Sequence, residues 1–171
     1  IGVKEALTTV MQTLPSGAKP SAIGLVSVST TLATNAVVEG HGSPVAVFLI
    51  GFDGAMAART GIAKAFPNVP LRIIAGGHDH NGDVAISLDA AAVEREAELL
   101  KGEVSAFAVA SAFAVRNPEH EKAARDIIMR VTGKPVTLST ELTSSLDAPR
   151  RALTAVLNAR LISRISLLIE A

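Results

Sequence analysis

Residues 45–50 read VAVFLI, six apolar side chains in succession, with Ser43-Pro44 before them and Gly51 after. Six residues are too few for an ordinary helix, and unbroken apolarity bounded by turn residues marks a strand covered on both faces. The fold class follows from how this pattern recurs along the chain.

Upstream, residues 23–28 (IGLVSV) form another such run between Pro20-Ser21 and Ser29-Thr30-Thr31. Downstream, strands are expected at 71–75, 104–110 and 136–139. The longest apolar stretch, 106–115, is interrupted by Ser111 and reads as a buried strand. It falls far short of the roughly 18 apolar residues that a membrane-spanning helix requires.

Between these runs lie segments of helical character: 1–14, with Val3, Leu7, Val10, Met11 and Leu14 on one face, then 31–39, 53–66, 89–100, 117–131 and 149–171. Strands alternating with helices of this length predict βαβ units. The expected architecture is α/β, a mostly parallel sheet with helices on both faces in three αβα layers. A local echo, Gly-x-Pro-Val at residues 42–45 and again at 133–136, matches a glycine helix stop followed by a strand and carries no function of its own.

Composition narrows the function classes. The chain has 171 residues with no Cys, Trp or Tyr, so disulfide scaffolds and cysteine zinc sites are excluded. Sixteen basic residues balance sixteen acidic ones with no cationic run, and five Phe supply few stacking surfaces. Nucleic acid is therefore not an expected partner, and neither is a membrane. The length suits a single α/β domain over 1–171. With no initiator Met and a C-terminus that still reads as helix, both ends look cut from a longer parent.

Four segments carry polar chemistry. In Ser29-Thr30-Thr31-Leu32-Ala33-Thr34-Asn35-Ala36, a strand hands over to a helix. Helix N-termini at the carboxyl edge of a parallel sheet offer free N–H groups to anions, which makes Thr30, Thr31, Thr34 and Asn35 candidates for phosphate or substrate contact. The plainer reading is a helix cap with spare hydroxyls.

The loop Gly76-Gly77-His78-Asp79-His80-Asn81-Gly82-Asp83 is the second. His78, His80 and Asp83 form at best a weak metal set, because the calcium-loop spacing fails at Val84 and Ala90. A polar loop whose side chains hold a turn or line a cleft is favoured, with His78 and Asp79 as cleft candidates.

Third comes Asn117-Pro118-Glu119-His120-Glu121, which has the chemistry of a helix start. The second histidine of a helical zinc protease is missing, since Ala124 stands there. His120 and Glu121 remain candidates for the same sheet edge, the imidazole serving as acid, base or, preferably, a hydrogen-bonding brace. The fourth is the stripe Arg151, Thr154, Asn158 on an otherwise apolar helix, a solvated face in the plain reading and otherwise three further candidates for substrate or phosphate contact. Elbow, P-loop and dinucleotide fingerprints are absent from the sequence.

In order and spacing, the Ser29–Ala36 segment, Gly76-Gly77-His78, Asn117-Pro118-Glu119-His120-Glu121, and Arg151 with Thr154 and Asn158-Ala159 together resemble the N-terminal region of the hydantoinase A/5-oxoprolinase family. The resemblance implies a cytoplasmic, ATP-dependent hydrolase that opens a cyclic amide such as a hydantoin or 5-oxoproline, usually with Mg²⁺. Related members are subunits of ketone carboxylases, and a non-catalytic interface module of a larger ATPase is the other alternative. ATP has a chemical reason: phosphorylating the oxygen of a poorly electrophilic amide creates a leaving group.

Family members open with an Asp-x-Gly-Gly-Thr phosphate hairpin that this sequence lacks. The 171 residues are accordingly expected to be inactive alone and to bind no nucleotide tightly. Their expected partners are the rest of the parent chain, a second subunit and a small cyclic amide. No residue is assigned as catalytic.

Overall fold

A computed structural model describes residues 3–13 and 42–170 of the chain. The strand expected at 23–28 and the helix expected at 31–39 lie outside the described residues. So do Thr30, Thr31, Thr34 and Asn35. By its own contacts the chain divides into two units, Ile1–Asn35 and Ala36–Ala171. In the first, α1 (Val3–Gln12) closes where the Thr13 N–H bonds back to the carbonyls of Thr9 and Val10.

The second unit is built on β1 (Val45–Ile50), α2 (Gly54–Arg59), α3 (Ile62–Ala65), β2 (Leu71–Ile74), α4 (Ala90–Leu100), β3 (Ala106–Ser111), α5 (Glu119–Thr132), β4 (Val136–Leu138), α6 (Ser139–Leu142) and α7 (Ala148–Glu170). The four described strands are parallel in the order β2-β1-β3-β4. Ile50 pairs with Ile74 on one side and Ser111 on the other, so three strands end in line.

Alternation along the strands sorts the core into two layers. Val45, Val47 and Leu49 share one layer with Ala106, Ala108 and Ala110, and α7 covers it with Ala152, Ala155, Val156 and Ala159. That spacing of three and four residues is a single helix stripe. Ala46, Phe48 and Ile50 join Phe107 and Val109 in the other layer, beneath Val93, Ala97 and Leu100 of α4 and Ala124 and Ile128 of α5. The Phe48 and Phe107 rings meet edge to face at 5.7 Å. Both faces of the sheet thus carry helices, as the continuous apolar strands require.

Three expectations are corrected. The helix expected over 53–66 is two short helices, because Gly61 takes a φ of 69° and interrupts the α conformation. Thr60 stabilises the break: its hydroxyl donates to the Ala57 carbonyl and accepts the Ile62 N–H. The apolar stretch 106–115 is strand only to Ser111 and then turns, with Phe113 at a φ of 53°. Periodicity cannot separate a buried strand from a buried turn. Ser139, expected to end a strand, opens α6 instead. Among the described residues, no helix is long and apolar enough to cross a membrane.

Candidate functional site

The first connection, α2–α3, shares the layer covered by α7, while α5, which follows β3, packs on the opposite layer. The chain therefore leaves β1 and β3 toward opposite faces, and a crevice forms between their carboxyl ends, the usual ligand position in such sheets. A cleft of about 470 Å³ lies there, with Phe52, Asp53, Met56, Ile73, His78, Ile86 and Phe113 among its lining residues. Its floor is close-packed backbone. Gly51, at a φ of 70°, approaches Gly76 so closely that a Cβ would stand 2.7 Å from the Gly76 carbonyl oxygen. Only glycine fits both demands.

His78 opens the loop beyond β2. Its backbone bridges to Val84, and Asp79 holds the turn between them, its Oδ1 accepting the N–H groups of Asn81, Gly82 and Asp83 at 2.8, 3.0 and 3.1 Å. Partial desolvation pulls the Asp79 carboxyl upward, but those three N–H bonds, with a contribution from His80, outweigh it and leave the carboxyl below its ordinary value. Asn117 ties this loop to α5: its amide donates to the Gly82 carbonyl at 3.1 Å, while its Oδ1 accepts the Glu119 N–H at 3.0 Å.

The His78 imidazole is 3% exposed, and both its ring nitrogens are buried without a hydrogen-bond partner. Against it lies the His120 ring, centroids 4.2 Å apart at 37°. His120 Nδ1 accepts the Gly77 N–H at 2.9 Å, so that nitrogen carries no proton. Burial first, then the neighbouring His78, lowers the His120 pKa, and Glu119 opposes them. The imidazole braces the β2 loop, the role favoured from sequence.

Glu121, the next residue on α5, serves the other side of the sheet end. Its Oε1 accepts the Ser111 N–H at 2.8 Å and the Ser139 hydroxyl at 2.6 Å, and its Oε2 accepts the Thr140 N–H at 3.1 Å and hydroxyl at 2.8 Å. Arg151 completes the clamp from α7, donating to Ser139 Oγ at 3.2 Å and to the carbonyls of Ser145 and Ser111, each at 2.7 Å. Desolvation lowers the Arg151 pKa, with Glu121 and Asp147 opposing. Both backbone groups of Ser111 are thereby held from opposite faces of the sheet.

The sequence-level grouping is rearranged accordingly. His78, Asp79, Asn117, His120 and Glu121 gather at one sheet edge. Arg151 shares a helix face with Thr154 and Asn158 but not their exposure: it is 1% exposed, whereas Thr154 is exposed and bonds its own helix at the Arg150 carbonyl. Asn158 is half-buried. His80 and Asp83 are exposed while His78 is buried, and among the described residues no group of three or more His, Cys, Asp or Glu is placed to hold a metal ion. Sequence reasoning missed Ser111, Ser139 and Thr140 as partners of Glu121. The one available signal was a serine interrupting an otherwise apolar strand.

Residues 1–132 match the family described as the hydantoinase/oxoprolinase N-terminal region. No curated protein matches the chain. Among solved structures, the ATP-dependent caprolactamase of Pseudomonas jessenii is similar at 26% identity with a TM-score of 0.77, over 98% of this chain and 27% of that one. A nucleotide-free acetone carboxylase shares the fold at 18% identity with a TM-score of 0.62, over 78% of this chain and 22% of that one. The chain thus spans about a quarter of the length of these structures.

Proposed function

The chain belongs to the hydantoinase/oxoprolinase family as its N-terminal region, and on that premise we propose that it is a domain of an ATP-dependent enzyme that opens a cyclic amide. The likeness to a caprolactamase supports the amide class. The observation that carries the reading is the cleft at the carboxyl edge of β1, β2 and β3, braced on one side by His120 and on the other by the Glu121–Arg151 clamp.

A magnesium–triphosphate group does not fit the described residues. No lysine or arginine lines the cleft, its one carboxylate is Asp53, and no metal-binding cluster is present among them. In this proposal ATP and Mg²⁺ belong, by resemblance, to the rest of a longer cytoplasmic parent. Thr30, Thr31, Thr34 and Asn35 stay as proposed phosphate or substrate contacts.

The test is ADP release by the full-length enzyme with its partner subunit, offered hydantoin, 5-oxoproline and a simple lactam in turn. ADP release that depends on one of these rings, matched by amide opening, is the expected result. ATP cleavage that responds to a ketone and bicarbonate, and to none of the rings, overturns the reading in favour of a carboxylase subunit.

A further inference from the structure

The loop beyond β2 carries a residue pair that neither the cleft nor the clamp uses. Asn81-Gly82 stands in the turn between His78 and Val84, with Asn81 exposed. Asparagine is thermolabile, and a following glycine, with no Cβ to block the approach, leaves its side-chain carbonyl open to the next backbone nitrogen.

The fold requires this glycine. Gly82 holds a φ of 96°, and a Cβ there would stand 3.3 Å from Arg116 Cβ and 3.4 Å from the Arg116 carbonyl oxygen. Its own carbonyl accepts the Asn117 amide at 3.1 Å, which ties the loop to α5. A larger residue at 82 would be strained and would press on this junction, so the susceptible pair follows from the junction's geometry.

The same turn restrains the reaction. The Gly82 N–H donates to Asp79 Oδ1 at 3.0 Å and to the Asp79 carbonyl at 3.1 Å, so the nitrogen that would attack is already held by two acceptors. Asp79 Oδ1 also accepts the N–H groups of Asn81 and Asp83, at 2.8 and 3.1 Å, which fixes the backbone on both sides of Gly82. A bond to a carboxylate is stronger than one to a neutral oxygen, and attack requires the bonded proton to leave.

We propose that Asn81-Gly82 is a spontaneous deamidation site that Asp79 holds closed. In the reaction the Gly82 nitrogen forms a bond to the Asn81 side-chain carbonyl carbon, the carbon–nitrogen bond of that side-chain amide breaks, and the departing nitrogen takes the Gly82 proton and leaves as ammonia. Water then opens the succinimide at one carbonyl to aspartate or at the other to isoaspartate. Isoaspartate routes the main chain through an extra methylene before Gly82. That shift displaces the Gly82 carbonyl from Asn117 and loosens a loop whose ends, at His78 and Ile86, line the cleft.

The test is incubation of the full-length protein at mildly alkaline pH, native and in urea. Mass spectrometry follows the single-dalton gain on the peptide that spans Asn81, and methyltransferase labelling counts isoaspartate. Native wild type should convert far more slowly than the same chain in urea. Native Asp79→Ala, with folding checked by circular dichroism, should convert about tenfold faster than native wild type, the rate equivalent of one bond to a charged group. Asp79→Asn, which keeps the oxygen acceptor without the charge, should fall between the two. In urea the wild type and Asp79→Ala should convert alike.

Equal wild-type rates with and without urea, or a native Asp79→Ala rate equal to that of wild type, overturns the proposal. An acceleration by Asp79→Ala that persists in urea overturns it too, because the effect then lies in the local sequence and not in the turn. Should Asp79→Ala fail to fold, the wild-type comparison with urea still decides.

Discussion

At the scale of single residues, two neighbours on α5 do different work. His120 spends its Nδ1 on the Gly77 N–H, and protonating that nitrogen would break the bond. Its folded pKa lies below the unfolded value of about 6.5, so the unfolded chain takes up the proton more readily. The contribution of His120 is therefore fully present above about pH 6.5 and is lost as pH falls below that value. Urea midpoints measured from about pH 7.5 down to 5 should fall, and His120→Asn, which keeps an acceptor near Nδ1, should flatten part of that slope. His78 and Glu119 are the charged or titratable groups that act on the same ring. Glu121 accepts from four groups, and Glu121→Gln replaces one acceptor oxygen with an amide nitrogen. That change should cost about 1–3 kcal/mol in urea unfolding. Combined with Ser139→Ala it should be non-additive, by roughly 0.5 kcal/mol or more, because both act through one network. Additive costs would show that the clamp is not a unit. The sequence pointed to His120 and Glu121 together because helix-start chemistry placed them after a strand. It did not reveal their division of labour, which depends on which side of the sheet end each side chain reaches.

At the scale of elements, α7 lies on β3 through alanines from both sides, Ala152, Ala155 and Ala159 against Ala106, Ala108 and Ala110. Small residues let the helix approach the sheet closely enough for Arg151 to reach the Ser111 carbonyl. Ala155→Leu should overfill this layer and destabilise the domain by about 1–3 kcal/mol, read as a lower thermal midpoint. The exposed Thr154→Leu control, one residue away, should shift it by about 0.5 kcal/mol or less. Unbroken apolar runs bounded by turn residues made β1 and the parallel sheet legible, since six residues are too few for an ordinary helix. Element ends were less legible. The break at Gly61 and the turn at Phe113 are set by backbone conformation that hydrophobicity does not encode. Helical spacing puts Arg151 in one stripe with Thr154 and Asn158 and takes no account of Ser111 and Ser139, through which it joins Glu121 from across the sheet.

At the scale of the whole molecule, the chain matches its family over residues 1–132 and spans about a quarter of the length of the similar structures. The resemblance visible in the ordered motifs identified the family because their spacing survives where each motif alone is common. The cleft itself was not legible. It arises where Gly51, His78, Ile86 and Phe113, far apart in sequence, meet at the carboxyl edge of the sheet. The proposal of a cyclic-amide-opening enzyme is tested most directly by ADP release from the full-length protein offered hydantoin, 5-oxoproline and a simple lactam in turn. The account predicts ADP release that depends on one of these rings and is matched by amide opening. ADP release that responds to a ketone and bicarbonate, and to none of the rings, would contradict it.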